Sequence, residues 1–384
     1  MRLNSRPALR MVRGEGSYLW DHTGKRYLDF IQGWAVNSLG HSPAALREAL
    51  TAQFDRVLNV GPAHFSEPAL ELCTRLSQLS GLDQVFLANS GCEANEAAVK
   101  LCRKWGQRQR SGAYEVITAV DGFHGRTLAM TCATGKHGWD EAFPPRVEGF
   151  VKVPYGSVQA VADAVSERTV AVLVEPIQGE AGAVVPPEGY LRALRALCDA
   201  RGLLLALDEV QTGICRTGPM FAFQREGIRP DLVTLGKGLG GGLPISAVLA
   251  TRESACFREG DHGSTFGGNA LCSAAALSVL RELSLPEKAR EREESSRYLA
   301  ESLARLARVL GGHLRGRGHL FGIVLSEPRA LELRDLCFER GLLINAARPN
   351  VLRFMPSLCL KLSEIDEMSG ILTEAWAARP ALVA

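Results

Sequence analysis

The chain has 384 residues, 46% hydrophobic and 22% charged, with 44 basic against 42 acidic side chains and a net charge of +2. At a nominal ~150 residues per domain this is a two-domain length with ample core, and the composition excludes a disordered or fibrous chain. A charge this near balance, with no basic run interleaved with aromatics and no apolar run of the ~18 residues a membrane span needs, makes neither nucleic acid nor membrane an expected partner.

Residues 1–14 are rich in arginine and poor in acids, as a transit peptide is, but strand-like sequence begins at Ser17, so they read as an N-terminal arm. Two strand patterns, 17–21 and 26–30, meet at a His-Thr-Gly-Lys turn. From about 83 to 250 short continuous apolar runs alternate with amphipathic stretches. This is the pattern of a doubly wound α/β domain, its mostly parallel sheet covered by helices on both faces. The runs are 83–89, 114–120, 169–175, 203–209, 231–236 and 245–251. The clearest helix is 92–105, with Ala94, Ala97, Ala98, Leu101, Cys102 and Trp105 on one stripe opposite Glu93, Glu96 and Lys100. Another, 188–201, stops at Gly202 as a C-cap. Beyond the Gly-rich stretch 263–268 come a long charged helix (286–309), strand-like segments near 313–325 and 342–354, and helices near 328–340 and 362–377. The expected division is an N-terminal segment 1–50 packing with the small domain, a large domain 51–275, and a small α+β domain 276–384. The ten cysteines lie far apart, with no C-x-x-C pair and no histidine at metal-ligand spacing. They read as reduced thiols of a cytoplasmic protein, with no metal site.

In an open α/β sheet, ligands bind beyond the carboxyl ends of the strands, so the residues just after each run are the candidates. Ser90, Gly91 and Cys92 open a helix whose N-terminus suits a phosphate, although Ser90 with Glu93 is also a plain capping box. The run 203–209 delivers Asp208 and Glu209, followed by Gln211 and Thr212. A carboxylate in so apolar a run needs a cationic or hydrogen-bonding partner: a capped group or an arginine, or the protonated ring nitrogen of a cofactor. Lys237, among glycines at the end of 231–236, has room to reach inward and form a Schiff base. Gly236 to Gly241 spells a formal G-x-G-x-x-G, but Gly242, Leu243 and Pro244 lead into another strand, so no helix N-terminus awaits a pyrophosphate. Phe123 to Arg126, Glu175 to Glu180 and His262 to Gly268 are, singly, loops that reach the same rim.

Together these segments, with 89–101, 123–127, 175–182, 208–213, 236–244, 262–269 and 352–356, resemble the class III (omega-amino acid) aminotransferases of the fold-type I pyridoxal phosphate enzymes over nearly the whole chain. The resemblance implies pyridoxal 5'-phosphate joined to Lys237, with Lys237 also moving the substrate proton. It implies Asp208 on the pyridine nitrogen, Gln211 on the ring hydroxyl, Phe123 stacked on the ring, and Glu209 and Val210 beside them. Ser90, Gly91 and Cys92 would hold the phosphate, with Thr265 reaching it from the other subunit of a homodimer. Arg126 would grip the distal carboxylate of the substrate and Arg353 the α-carboxylate of 2-oxoglutarate. Glu180 would pair with Arg353 while the amine donor is bound, and Ser264 would touch the acyl group. The implied reaction is ping-pong, N-acetylornithine plus 2-oxoglutarate giving N-acetylglutamate semialdehyde plus glutamate. Ornithine, succinylornithine, succinyldiaminopimelate and 4-aminobutyrate are alternative donors. A non-transaminating enzyme of the same cofactor and a nicotinamide oxidoreductase are the competing classes.

Four positions depart from the family pattern. Cys92 replaces a smaller or hydroxylated residue, Cys215 a glycine and Ala270 a proline. Phe65 stands where ornithine aminotransferases carry a tyrosine whose hydroxyl faces the pocket, which argues against free ornithine as donor.

Overall fold

The computed structural model describes residues 9–379, so the first eight residues of the expected N-terminal arm lie outside it. In chain order the strands are β1 (Met11–Glu15), β2 (Tyr18–Asp21), β3 (Arg26–Asp29), β4 (Gln84–Ala88), β5 (Glu115–Ala119), β6 (Phe150–Val153), β7 (Thr169–Val174) and β8 (Leu204–Asp208). They continue as β9 (Leu232–Leu235), β10 (Ser246–Ala250), β11 (Gly312–Arg317), β12 (Leu320–Leu325), β13 (Leu342–Leu343), β14 (Asn345–Arg348) and β15 (Val351–Phe354).

Among the described residues these form three sheets, the largest in the order β4-β10-β9-β8-β7-β5-β6. Neighbours in it pair parallel except around β10, which runs against both β4 and β9. Every residue of β5, β7, β8, β9 and β10 is buried, which is why each reads as an unbroken apolar run rather than an alternation. The helix predicted at 92–105 spans Gly91–Gln109 and buries Ala94, Ala97, Ala98, Leu101 and Cys102 against the sheet, with Trp105 partly covered. Ser90 caps it as the capping box requires, its side chain accepting from Glu93 N while the Glu93 carboxylate reaches back. The helix Tyr190–Arg201 ends at Gly202, whose φ of 59° is the left-handed C-cap that glycine adopts without strain.

A second sheet, β11-β12-β15-β14, is antiparallel throughout and covered by the helices Pro286–Val309, Ala330–Glu339 and Leu362–Ala377. The third joins β1, β2 and β3 to β13, with Leu342 opposite Leu28. Leu28 and Phe30 are buried among Leu299, Leu303, Ile323, Phe354 and Ile365. No described helix is long and apolar enough to cross a membrane. All ten cysteines are free thiols.

The arrangement brings the carboxyl ends of β5, β7, β8 and β9, and the helix N-terminus that follows β4, to one edge of the large sheet. It also brings β15, which carries Arg353, against the loop that follows β7: Arg353 Nη1 donates to Gly179 O at 2.7 Å.

Candidate active site

At that edge lies a cavity of about 290 Å³ lined by Gly91, Cys92, Asn95, Phe123, His124, Gly125, Arg126, Glu175, Glu180, Asp208, Val210, Gln211 and Lys237. Nine residues singled out in the sequence thus share one wall: Gly91, Cys92, Phe123, Arg126, Glu180, Asp208, Val210, Gln211 and Lys237. The packing is close enough that a side chain on Gly91 would meet Val210 Cγ1 at 2.5 Å, and one on Gly125 would overlap Cys92 Sγ. Cys92 Sγ in turn accepts from the backbone N–H groups of Arg126 (3.2 Å) and Thr127 (3.3 Å), tying the helix start to the loop after β5.

Asp208, the last residue of β8, sits opposite Thr234 of β9 and is buried. Its Oδ2 accepts from Asn95 Nδ2 at 2.7 Å and from His124 Nδ1 at 2.8 Å, and its Oδ1 from Val210 N at 3.1 Å. Asn95 is itself held by Thr234 Oγ1 at 2.7 Å. Burial works against a charged His124, but the bond to Asp208 and its negative charge outweigh it and raise the imidazole above its ordinary value. The sequence reading placed His124 in a rim loop without a role and did not single out Asn95. The usable signal was Asn95 itself, a polar residue inside the buried alanine stripe of its helix, since a polar group there requires a partner.

Lys237 follows Gly236 at the end of β9 with φ of 42°, a left-handed conformation strained for a side chain with a Cβ. The short turn Lys237–Gly240 is a 3₁₀ segment and β10 follows it, so the glycine-rich run opens no α-helix and offers no dinucleotide site. Among the described residues the Lys237 amine makes no hydrogen bond or ion pair. Burial lowers its pKa from the ordinary lysine value, against the pull of Glu180, which leaves more of the amine neutral and nucleophilic.

Arg353 lies behind the cavity, fully buried, with Nε on Asn345 Oδ1 at 3.0 Å and Nη1 on Glu180 Oε1 at 2.8 Å. Burial opposes ionisation of Glu180, but Arg353 and Lys237 outweigh it and hold the carboxyl down at about 2. Arg126 is exposed at the mouth, its guanidinium 4.7 Å from the Trp139 ring.

The remaining candidates stand apart from the cavity wall. Ser90 is exposed and engaged with Glu93. Thr265 is exposed, and Ser264 accepts from Asn89 Nδ2 at 3.1 Å. Phe65 is 86% exposed. Glu209 turns the other way from Asp208, accepting from Ala222 N (2.6 Å), Phe223 N (2.9 Å) and Thr212 Oγ1 (3.4 Å). Its side chain therefore braces the chain behind β8 rather than facing the cavity.

Glu209 carries a pH prediction. Burial pushes it up to about 7 against those three hydrogen bonds. Because the fold favours the neutral acid, its contribution is fully present below pH ~4.5 and is lost as pH rises through about 7, a difference of roughly 3 kcal/mol. Melting of the cofactor-free protein should fall between pH 5 and 7.5, and Glu209→Gln should flatten that slope. An unchanged slope in the variant would contradict the assignment.

The open-edged α/β fold with a free lysine amine facing a buried Asp–His pair defines an enzyme that works through a reactive amine. A model of the class-III aminotransferase family matches residues 2–376, and the chain belongs to that family. Acetylornithine aminotransferase 2 of Bordetella bronchiseptica is 46% identical over 381 residues, covering 97% of this chain and 96% of that protein. Acetylornithine aminotransferase of Ralstonia nicotianae is 46% identical over 380 residues, covering 97% and 95%. Among solved structures, ornithine aminotransferase from Toxoplasma gondii superposes with a TM-score of 0.93 at 31% identity, covering 98% of this chain and 92% of that one. N-acetylornithine aminotransferase from Stenotrophomonas maltophilia gives 0.85 at 35%, covering 97% and 96%. The architecture is accordingly the fold-type I α/β fold, and the chain is a transaminase.

Proposed function

We propose that the chain moves the terminal amine of N-acetylornithine to 2-oxoglutarate, a step of arginine biosynthesis, with pyridoxal 5'-phosphate held in the cavity. The observation that carries the reading is the uncommitted Lys237 amine sharing one cavity with Asp208 and with the Glu180 carboxylate that covers Arg353. The names of the relatives, at 41–46% identity over nearly the whole chain, support the choice of donor.

The residues present fit this cofactor. Gln211 Oε1 and His124 Nε2 are buried with no hydrogen-bond partner among the described residues, so the cavity wall keeps polar atoms that a polar ring can satisfy. Gly91 and Gly125 keep the backbone clear beside the helix N-terminus, where a phosphate is favoured. When bound, the cofactor supplies an electron-withdrawing ring and an aldehyde that carries the amine between half-reactions.

The chain's own residues do the rest. Asp208, oriented by His124 and Asn95, would hold the proton of the ring nitrogen, with Phe123 and Val210 placed to pack on the ring and Gln211 to meet the ring hydroxyl. Gly91 and Cys92 would hold the phosphate at the helix N-terminus, with the Ser90 hydroxyl reaching it from just outside the cavity wall. The Lys237 amine, kept partly neutral by burial, takes the proton from the substrate carbon and returns it. Arg126 binds the distal carboxylate. Arg353 binds the α-carboxylate of 2-oxoglutarate, and Glu180 neutralises Arg353 during the donor half. Glu209 supports the strand end from behind.

Thr265 and Ser264 serve the site of a second copy, Thr265 at the phosphate and Ser264 at the acyl group, which makes the homodimer the working unit. The exposed Phe65 and Phe266 suit a surface covered by that copy. Division of the chain near residues 50 and 275 is part of the same reading, supported by the burial of Leu28 and Phe30 with the C-terminal helices.

The test is spectroscopic. Glutamate should convert the absorbance of the pyridoxal form to that of the pyridoxamine form, and N-acetylornithine should do so with the highest kcat/KM of a panel containing ornithine, succinylornithine, succinyldiaminopimelate and 4-aminobutyrate. A different leading donor would overturn the substrate, and no conversion by glutamate would overturn the reaction.

A further inference from the structure

Glu180 has two cations and not one. Its Oε1 accepts from Arg353 at 2.8 Å, and its Oε2 lies 3.6 Å from the Lys136 ammonium. Lys136 follows the short helix Leu128–Ala133 that comes after the Phe123–Arg126 loop, and its side chain is only 18% exposed. The ammonium lies against two rings, 5.0 Å from the centre of Phe123 and 4.8 Å from that of Trp139. Burial lowers its pKa, Glu180 pulls the other way, and the nearby Arg348, Arg126 and Arg353 add to the lowering. Arg348 has its own carboxylate, Asp121 at 2.5 Å, and among the described residues Glu180 is the carboxylate within ion-pair distance of Lys136.

The proposed function asks Glu180 to release Arg353 when 2-oxoglutarate arrives. Arg353 tolerates the exchange, because Gly179 O (2.7 Å) and Asn345 Oδ1 (3.0 Å) keep its guanidinium in place. Glu180 is the difficulty, since a largely buried carboxylate stripped of its partner is strongly unfavourable. An ammonium already near its second oxygen removes that difficulty, for closing 3.6 Å to a direct bond takes a shift well within a lysine's reach.

We propose that Lys136 is the alternate partner of Glu180, the cation that holds its carboxylate while Arg353 binds the α-carboxylate of the oxo acid. Lys136 is thus a positioning residue that sets affinity for the dicarboxylic acceptor without touching it. The proposal rests on the Arg353–Glu180 reading above. The exchange then runs between two paired states of Glu180 rather than from a paired to an unpaired one. Removing Lys136 therefore penalises the oxo-acid state selectively, since the donor state keeps the bond to Arg353.

The experiment uses the holoenzyme and two readouts: calorimetric binding of glutarate, an unreactive dicarboxylate, and single-turnover kinetics of each half-reaction. Lys136→Gln should weaken glutarate, and raise the apparent KM for 2-oxoglutarate, about five- to ten-fold. The amine-donor half should fall several-fold less, and Lys136→Arg should restore binding. In a Glu180→Ala background Lys136→Gln should have no further effect. Equal loss in both halves, or an undiminished loss of glutarate affinity without Glu180, overturns the proposal, the latter because Lys136 would then be binding the dicarboxylate itself. Failure of the underlying reading shows separately, as a Glu180→Ala variant whose glutarate affinity is unchanged although Lys136→Gln alone still weakens it.

Discussion

Lys237→Ala should lower turnover by at least about 10⁴-fold while the protein still carries cofactor that gel filtration at high protein concentration does not remove. The size follows from losing two functions in one amine: the covalent attachment and the proton transfer at the substrate carbon, the second alone ordinarily worth 10²–10⁴. Cofactor retention follows from what the substitution leaves alone. Asp208 keeps its bonds from His124 and Asn95, and the Cys92 sulfur keeps those from the Arg126 and Thr127 N–H groups, none of which involves Lys237. Lys237→Arg should be as inactive, because a guanidinium keeps the charge but not the nucleophilic amine. In the wild-type protein, borohydride reduction followed by peptide mapping should place the label on Lys237 alone. Turnover near wild type in either variant, or a label on another lysine, would remove the basis of the proposed mechanism.

The strained backbone at Lys237 bears on the same variant. A left-handed φ at a residue with a Cβ is held only where the surroundings determine it. Here the surroundings are glycines: Gly236 lies against Gly91, and Gly238 against the hydroxyl of Ser38. The melting temperature of Lys237→Ala without cofactor should therefore stay close to that of the cofactor-free wild type, which separates loss of chemistry from loss of fold.

What the sequence made legible, and what it did not, divides along a physical line. Asp208 stood out because it ends a strand whose other residues are all apolar, and Lys237 because it sits among glycines just past a strand end, where a charged group has no cheap explanation. The helix at 286–309 matched its observed span because its charged face and apolar stripe are long enough to average out local noise. The direction of β10 could not be read, since a strand buried on both faces looks the same in either orientation. Glu209 could have been read better. Adjacent strand-end residues point to opposite sides, so two successive carboxylates seldom share a pocket. Lys136 and Trp139 gave no signal at all, because their loop meets Glu180 only through the packing of the β5 and β7 ends.

Arg353→Ala should slow reaction with 2-oxoglutarate by about 10²–10³-fold, while reaction with the amine donor falls several-fold at most. A guanidinium matches a carboxylate with two parallel donors, and removing such a partner from a desolvated site commonly costs 2–5 kcal/mol. The donor half is spared because Arg353 is already neutralised there by Glu180 at 2.8 Å and has no carboxylate to bind. The obvious objection is that a fully buried arginine also supports structure, through Gly179 O and Asn345 Oδ1. That role predicts a different result, a lower melting temperature and equal damage to both halves. Arg353→Lys sharpens the distinction: it keeps a buried cation for Glu180 but cannot form the two-pronged contact, so it should recover stability and the donor half more than 2-oxoglutarate affinity. Single-turnover rates for each half, with melting curves, decide the matter. Equal loss in both halves would reduce Arg353 to a structural residue and leave the acceptor's α-carboxylate to some other cation of the site.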